Sequence, residues 1–142
     1  MKYFFPRRKL TADEFSIIPE AFWRLFTARV KVSFFRSVKY LPSPSQKLTI
    51  YPTQEKVKKG KTVALIINGL SLRTPWSSTC LVKVLAAHSM LKKRKIAHTL
   101  HFGVKKNTAH QLDAHAWLSV GEEKIIGDEN LHFFIEISKI II

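Results

Sequence analysis

A single cysteine among 142 residues removes two chemistries at the outset. One thiol cannot close an internal disulfide, so nothing asks for an oxidising compartment, and thiolate-rich zinc sites are ruled out. Acids are scarce too: 10 Asp and Glu stand against 24 Lys and Arg, a net charge of +14. No segment nears the roughly 20 uninterrupted apolar residues of a membrane-spanning helix. The stretch Met1 to Lys9 has no apolar run of signal-peptide length, and the expectation is a cytoplasmic protein. Internal repeats, zinc-finger spacing and basic aromatic strands of the RNA-recognition type are missing, so nucleic acid is not expected as a partner.

What remains is a globular composition, 46% hydrophobic and 24% charged, in a length that suits one domain, residues 1–142. The positive balance implies an acidic partner: a peptide, a protein, nucleic acid or an anionic membrane face. Residues 1–53 read as a helical N-terminal region and 54–142 as the core. Thr11 followed by Asp13 and Glu14 predicts a capped helix start, and helical periodicity runs to about Tyr40, kinked or restarted at Pro19. Phe15, Phe22, Phe26 and Val30 share one face, expected to pack on the core. Its Phe, Trp and Arg content leaves a surface that docks a partner or a membrane as the rival reading. Prolines at 42, 44 and 52 break the chain. A second helix is expected from Gln54 to about Leu72, weakened by Gly60 and Gly69, and a third from Cys80 to about Leu91.

Beyond Lys95 the period changes to that of strands: Ile96–Val104, Ala114–Val120, Lys124–Asp128 and a tail from Phe133. Helices followed by strands predict an α+β fold with an antiparallel sheet.

The chemistry centres on Cys80. Ser77, Ser78 and Thr79 are residues that cap helices, and the apolar spacing of Leu81, Val84 and Leu85 starts a helix directly behind them. A thiol in a first helical turn faces unpaired N–H groups and the positive end of the helix dipole, which stabilise its thiolate form. A nucleophilic cysteine also needs a base and a group to orient it. If Gly121-Glu122 is a two-residue turn, Val120 pairs with Glu123 and Ser119 with Lys124. Continued outward, Trp117 faces Ile126 and His115 faces Asp128; a three-residue loop would bring Glu129 opposite His115 instead. His115 is thus the candidate base and Asp128 its orienting acid, with Asp113 and Glu129 as rivals. His88 lies two turns from Cys80 and is too far to serve as its base. His98, His101, His110 and His132 read as ordinary residues, too loosely spaced for a metal site, and no metal or cofactor is expected.

The segment Pro75-Trp76-Ser77-Ser78-Thr79-Cys80-Leu81-Val82, with Ala114-His115-Ala116-Trp117 and Gly127-Asp128, resembles the transglutaminase-like leader peptidases of lasso-peptide biosynthesis. The resemblance spans roughly Asn68 to Asp128. It implies a transglutaminase/papain-like cysteine peptidase core with Cys80 as nucleophile, His115 as general base and acid, and Asp128 as orienter. It further implies a precursor peptide as substrate, a leader-binding recognition protein as partner for a stand-alone peptidase, and a separate ATP-dependent macrolactam cyclase downstream. The Cys80 backbone N–H is the expected oxyanion donor, with Trp76 and Trp117 as neighbours of the site or packing residues. Two other classes stay open. One is a transglutaminase-like acyl transferase sharing the triad; the other is a non-catalytic basic module for peptide or nucleic acid.

Overall fold

The computed structural model describes residues 9–34, 51–128 and 130–142. Helices come first: α1 (Ala12–Ser16), α2 (Ile18–Phe34), α3 (Gln54–Ser71) and α4 (Cys80–Lys93). Four strands follow, β1 (Thr99–Lys106), β2 (Leu112–Val120), β3 (Glu123–Ile126) and β4 (Ile135–Ile141), with a 3-10 turn at Leu131–Phe133 before the last. They form one antiparallel sheet in the order β3-β2-β1-β4, so the architecture is the expected α+β fold with a helical first half. No helix among the described residues is long and apolar enough to cross a membrane.

The helix starts follow from capping. Thr11 and Glu14 exchange side-chain-to-backbone hydrogen bonds of 2.9 and 3.3 Å, a full capping box, and Thr53 caps α3 through the Lys56 N–H. The chain resets at Ile17, so Pro19 lies in the first turn of α2, where its missing N–H leaves no hydrogen bond unmade. The predicted extension of this helix to Tyr40 and the proline break at 42–44 lie outside the described residues.

One expectation is corrected. The buried stripe of α2 is Ala21, Leu25 and Ala28, whereas Phe15, Phe22 and Phe26 are exposed. Periodicity marks both stripes as helical, but α2 packs directly against α4, where Ala86 and Ala87 are buried. Close approach of two helices favours small side chains at the contact, and the aromatics are left outside.

Gly60 in α3 also reflects close packing. A Cβ at Gly60 would meet Val120 Cγ2 at 3.0 Å, a tight contact that the absence of a side chain relieves where α3 nears the end of β2. Leu100, Leu118, Ile126 and the partly buried Ile140 line the helix-covered face of the sheet, joined by Ile66, Ile67, Met90 and Leu91 from the helices. At the end of α4, Lys95 takes a left-handed φ of 54° and the Ile96 N–H returns to the Leu91 carbonyl at 3.0 Å. That closure buries Ile96 and turns the chain back into β1.

Candidate active site

Cys80 is the first residue of α4 and is half-buried, packed against the helix-side core together with Trp76 and Leu81. Thr79 holds the N-cap position with extended backbone, yet its side chain makes no cap hydrogen bond. The Ser78 hydroxyl is turned to Thr74 instead, at 3.2 Å. With no acid in the first turn either, the start of α4 presents N–H groups and the positive dipole end to an anion. Trp76, four residues upstream, sits edge-on to Phe22 and Phe26 at centroid distances of 5.4 and 5.6 Å. Its indole N–H is buried without a hydrogen-bond partner among the described residues. The exposed aromatic stripe of α2 therefore stands beside the start of the cysteine helix.

The β2–β3 hairpin carries the other two candidates. Its turn has the expected two residues: Gly121 has a φ of 60°, Val120 pairs with Glu123, and Ser119 pairs with Lys124. The register then shifts, and Leu118, not Trp117, faces Ile126. Ile125 is the extra residue of a β-bulge, and it is buried against α3 near Gly60. His115 is consequently not directly opposite Asp128. Its Nε2–H donates to the Gly127 carbonyl at 2.7 Å, which leaves Nδ1 as the basic ring nitrogen of the neutral imidazole. Gly127 is itself required: it holds a φ of 72°, and a Cβ there would lie 2.6 Å from the Ala116 carbonyl oxygen. Asp128, next in the chain, is exposed. Of the rival acids, Asp113 accepts from the Asn107 amide at 3.3 Å, and Glu129 lies outside the described residues.

Alternation along β2 decides which groups meet. Ala116, Leu118 and Val120 enter the helix-side core, so His115, Trp117 and Ser119 line the opposite face. There Trp117 is buried between two imidazoles, His101 stacked at 5.3 Å and His115 at 6.0 Å, and Phe134 closes over His115 at 4.9 Å. No hydrogen bond joins the Cys80 thiol to His115 among the described residues. The structure thus brings together His115, Trp117 and the Gly127 carbonyl, and leaves Cys80 with Trp76 at the helix start.

His101, an ordinary residue by its sequence context, takes part in a polar chain. Its Nε2 lies 2.9 Å from the Ser119 hydroxyl and its Nδ1 2.8 Å from Glu136, making a three-membered polar chain on the outer face. A signal was present, since His101 and Ser119 both fall on strands; their pairing depends on the β1–β2 register, which puts His101 opposite Trp117. Among the described residues, no cluster of three or more metal-ligating side chains is present.

A protein-family model described as the transglutaminase-like superfamily matches residues 22–139. The chain belongs to this superfamily. No curated protein and no solved structure matches it significantly. The match runs from within α2 through most of β4, so it takes in α3, α4 and most of α2 as well as the sheet, and leaves α1 outside.

Proposed function

We propose that the chain is a cysteine peptidase that cleaves the leader from a lasso-peptide precursor in the cytoplasm, acting with a leader-binding partner protein. The observation that carries this reading is the uncapped, acid-free start of α4 with Cys80 at its first position, within a transglutaminase-like chain. Cys80 attacks the carbonyl of the last leader peptide bond, and its own backbone N–H faces the developing oxyanion. His115 takes the thiol proton at Nδ1 and returns it to the leaving amine; water then hydrolyses the acyl-enzyme. Asp128 and the Gly127 carbonyl orient the imidazole.

Two structural points support pairing Cys80 with His115. Eight residues of α4 separate Cys80 from His88, about 12 Å of helix. From His98, whose ring meets His88 at 2.8 Å, about four residues of strand cover that distance and reach Phe102 and Gly103. Gly103 pairs with His115, so these chain lengths are compatible with a helix start near the level of the His115 rung. Cys80 packs on the helix side and His115 on the outer face of the sheet, so in the proposed reaction the two meet only after a rearrangement on substrate binding. The positive charge suits an acidic leader or partner, and cleavage is then expected to slow as salt is raised.

The test is mass spectrometry of a precursor incubated with the partner protein and the wild-type chain, Cys80→Ala, His115→Ala or Asp128→Ala. Free leader and free core peptide from the wild type alone support the reading. Cleavage surviving Cys80→Ala ends it. Inclusion of a primary amine separates hydrolysis from acyl transfer, since a transferase yields the amine adduct of the leader.

A further inference from the structure

A second site lies apart from Cys80. A pocket of about 460 Å³, within the range of small-molecule sites, opens between α2 and α4. Its lining is cationic, with Arg24 and Lys31 from α2 and Lys92 from α4, alongside His88 and the hydroxyls of Thr27 and Ser89. Lys93 also borders it, but Glu20 holds Lys93 at 3.4 Å and Arg94 at 2.7 Å. Arg94's hydrogen bonds keep the Glu20 carboxyl below the ordinary carboxylate range, so this acid is committed elsewhere. Arg24, Lys31 and Lys92 have no carboxylate partner among the described residues. The Arg24 Nε–H is, in addition, buried with no acceptor among them. A buried donor of this kind is costly while it stays unmet, and it calls for an acceptor that the described residues do not supply.

The floor of the pocket is set to gain a further donor. His98 Nδ1–H donates to the Ile96 carbonyl at 2.7 Å, so its Nε2 accepts from His88 Nδ1–H at 2.8 Å. His88 Nε2 is therefore left with a lone pair, and protonation there would add an N–H to the site. The Thr27 and Ser89 hydroxyls, which now donate to the Arg24 and Leu85 carbonyls, can rotate to an incoming anion.

We propose that the α2–α4 pocket is a binding site for a small phosphate-bearing anion, gripped by Arg24, Lys31 and Lys92. The inference is independent of the peptidase reading. Several cations that no carboxylate among the described residues neutralises, converging on one concave site, suit a multiply charged tetrahedral anion, and the guanidinium supplies directional donors. Binding also couples to protonation of His88. In the free protein, burial chiefly, then His98, Lys92 and Lys31, push its pKa down to about 4. An anion lying against these cations reverses the charge effects and raises it.

The experiment is an NMR titration of the full labelled chain with pyrophosphate, with inorganic phosphate and a nucleoside triphosphate as parallel arms. Saturable shifts at Thr27, His88 and Ser89, with the His88 ring titrating at higher pH in the complex, are expected. Arg24→Gln and Lys92→Gln should each weaken binding by about tenfold, the counterpart of one lost charge-assisted hydrogen bond. Lys92 is exposed, so its replacement leaves the packing intact should Arg24→Gln fail to fold. Lys58→Gln on α3, an exposed lysine outside the pocket, should change little. Tightest binding of the triphosphate assigns the phosphate to a nucleotide; equal binding of all three assigns it to the free ion. Shifts that do not saturate, or an equal loss in Lys58→Gln, reduce the effect to bulk charge and overturn the proposal.

Discussion

The two faces of the sheet are built from the same strands, one residue out of step, and have opposite contents. The helix-covered face is apolar and sealed: Leu100, Leu118 and Ile126 are fully buried against α3 and α4. The other face holds Trp117 and Ser119 nearly as deeply, at 5% and 6% exposure, but surrounds them with His101, His115 and Glu136. Burial is therefore shared, and what differs is the means of covering. One side is closed by hydrocarbon volume, the other by rings and hydrogen bonds whose geometry is directional. Substitutions on the first face should report on stability, and substitutions on the second on chemistry.

His115→Ala is the sharpest division of the two. If the proposed mechanism holds, it lowers leader cleavage by about 10²–10⁴-fold while the melting temperature moves little. A loss of stability equal to that of a core mutant would instead make the outer face structural. Leu118→Ala is the converse: it empties a fully buried site and should cost about 2–5 kcal/mol in denaturant unfolding. Gly127→Ala tests both faces at once. It forces a side chain onto φ 72° and into the Ala116 carbonyl, at about 1–3 kcal/mol, and displaces the carbonyl that fixes His115, so cleavage should fall further than stability alone explains.

The helix side has one titrating weak point. The folded His88 pKa lies below its unfolded value of about 6.5, at about 4, so between these values the unfolded chain binds more protons. The stability tied to neutral His88 is present above pH 6.5, is lost as pH falls through that window, and amounts to on the order of 3 kcal/mol. His98, also lowered chiefly by burial, adds in the same direction. Unfolding midpoints recorded across that range should decline, and His88→Asn should flatten the decline. The smallest effect expected is Ser119→Ala, about 1 kcal/mol, from the hydrogen bond it makes to His101.

Much of this organisation was legible in the residues. The capping signature at Thr11, the helix beginning at Cys80, and the two-residue turn at Gly121 are local chemistry, and each appears where its residues predict it. Three features were not legible, each for a tertiary reason. The bulge at Ile125 leaves no local pattern; the inserted residue and Val120 lie against Gly60 of α3, a neighbour distant in sequence. The buried stripe of α2 was hidden by louder aromatics, since periodicity reports that a helix is amphipathic but not which small residues will touch a neighbour. The His88–His98 contact joins residues ten positions apart, and only the tight closure after Lys95 brings them together.

The bulge has one more effect. By moving the ladder one step, it gives the His115 ring a peptide carbonyl to hold rather than a side chain directly across the ladder. A main-chain oxygen does not titrate, so the tautomer of His115 keeps this anchor across the whole pH range in which the sheet is intact. Nor does truncating polar side chains delete it: a survey that replaces every polar side chain would pass over this contact, and a change of backbone at residue 127, such as Gly127→Ala, is what exposes it.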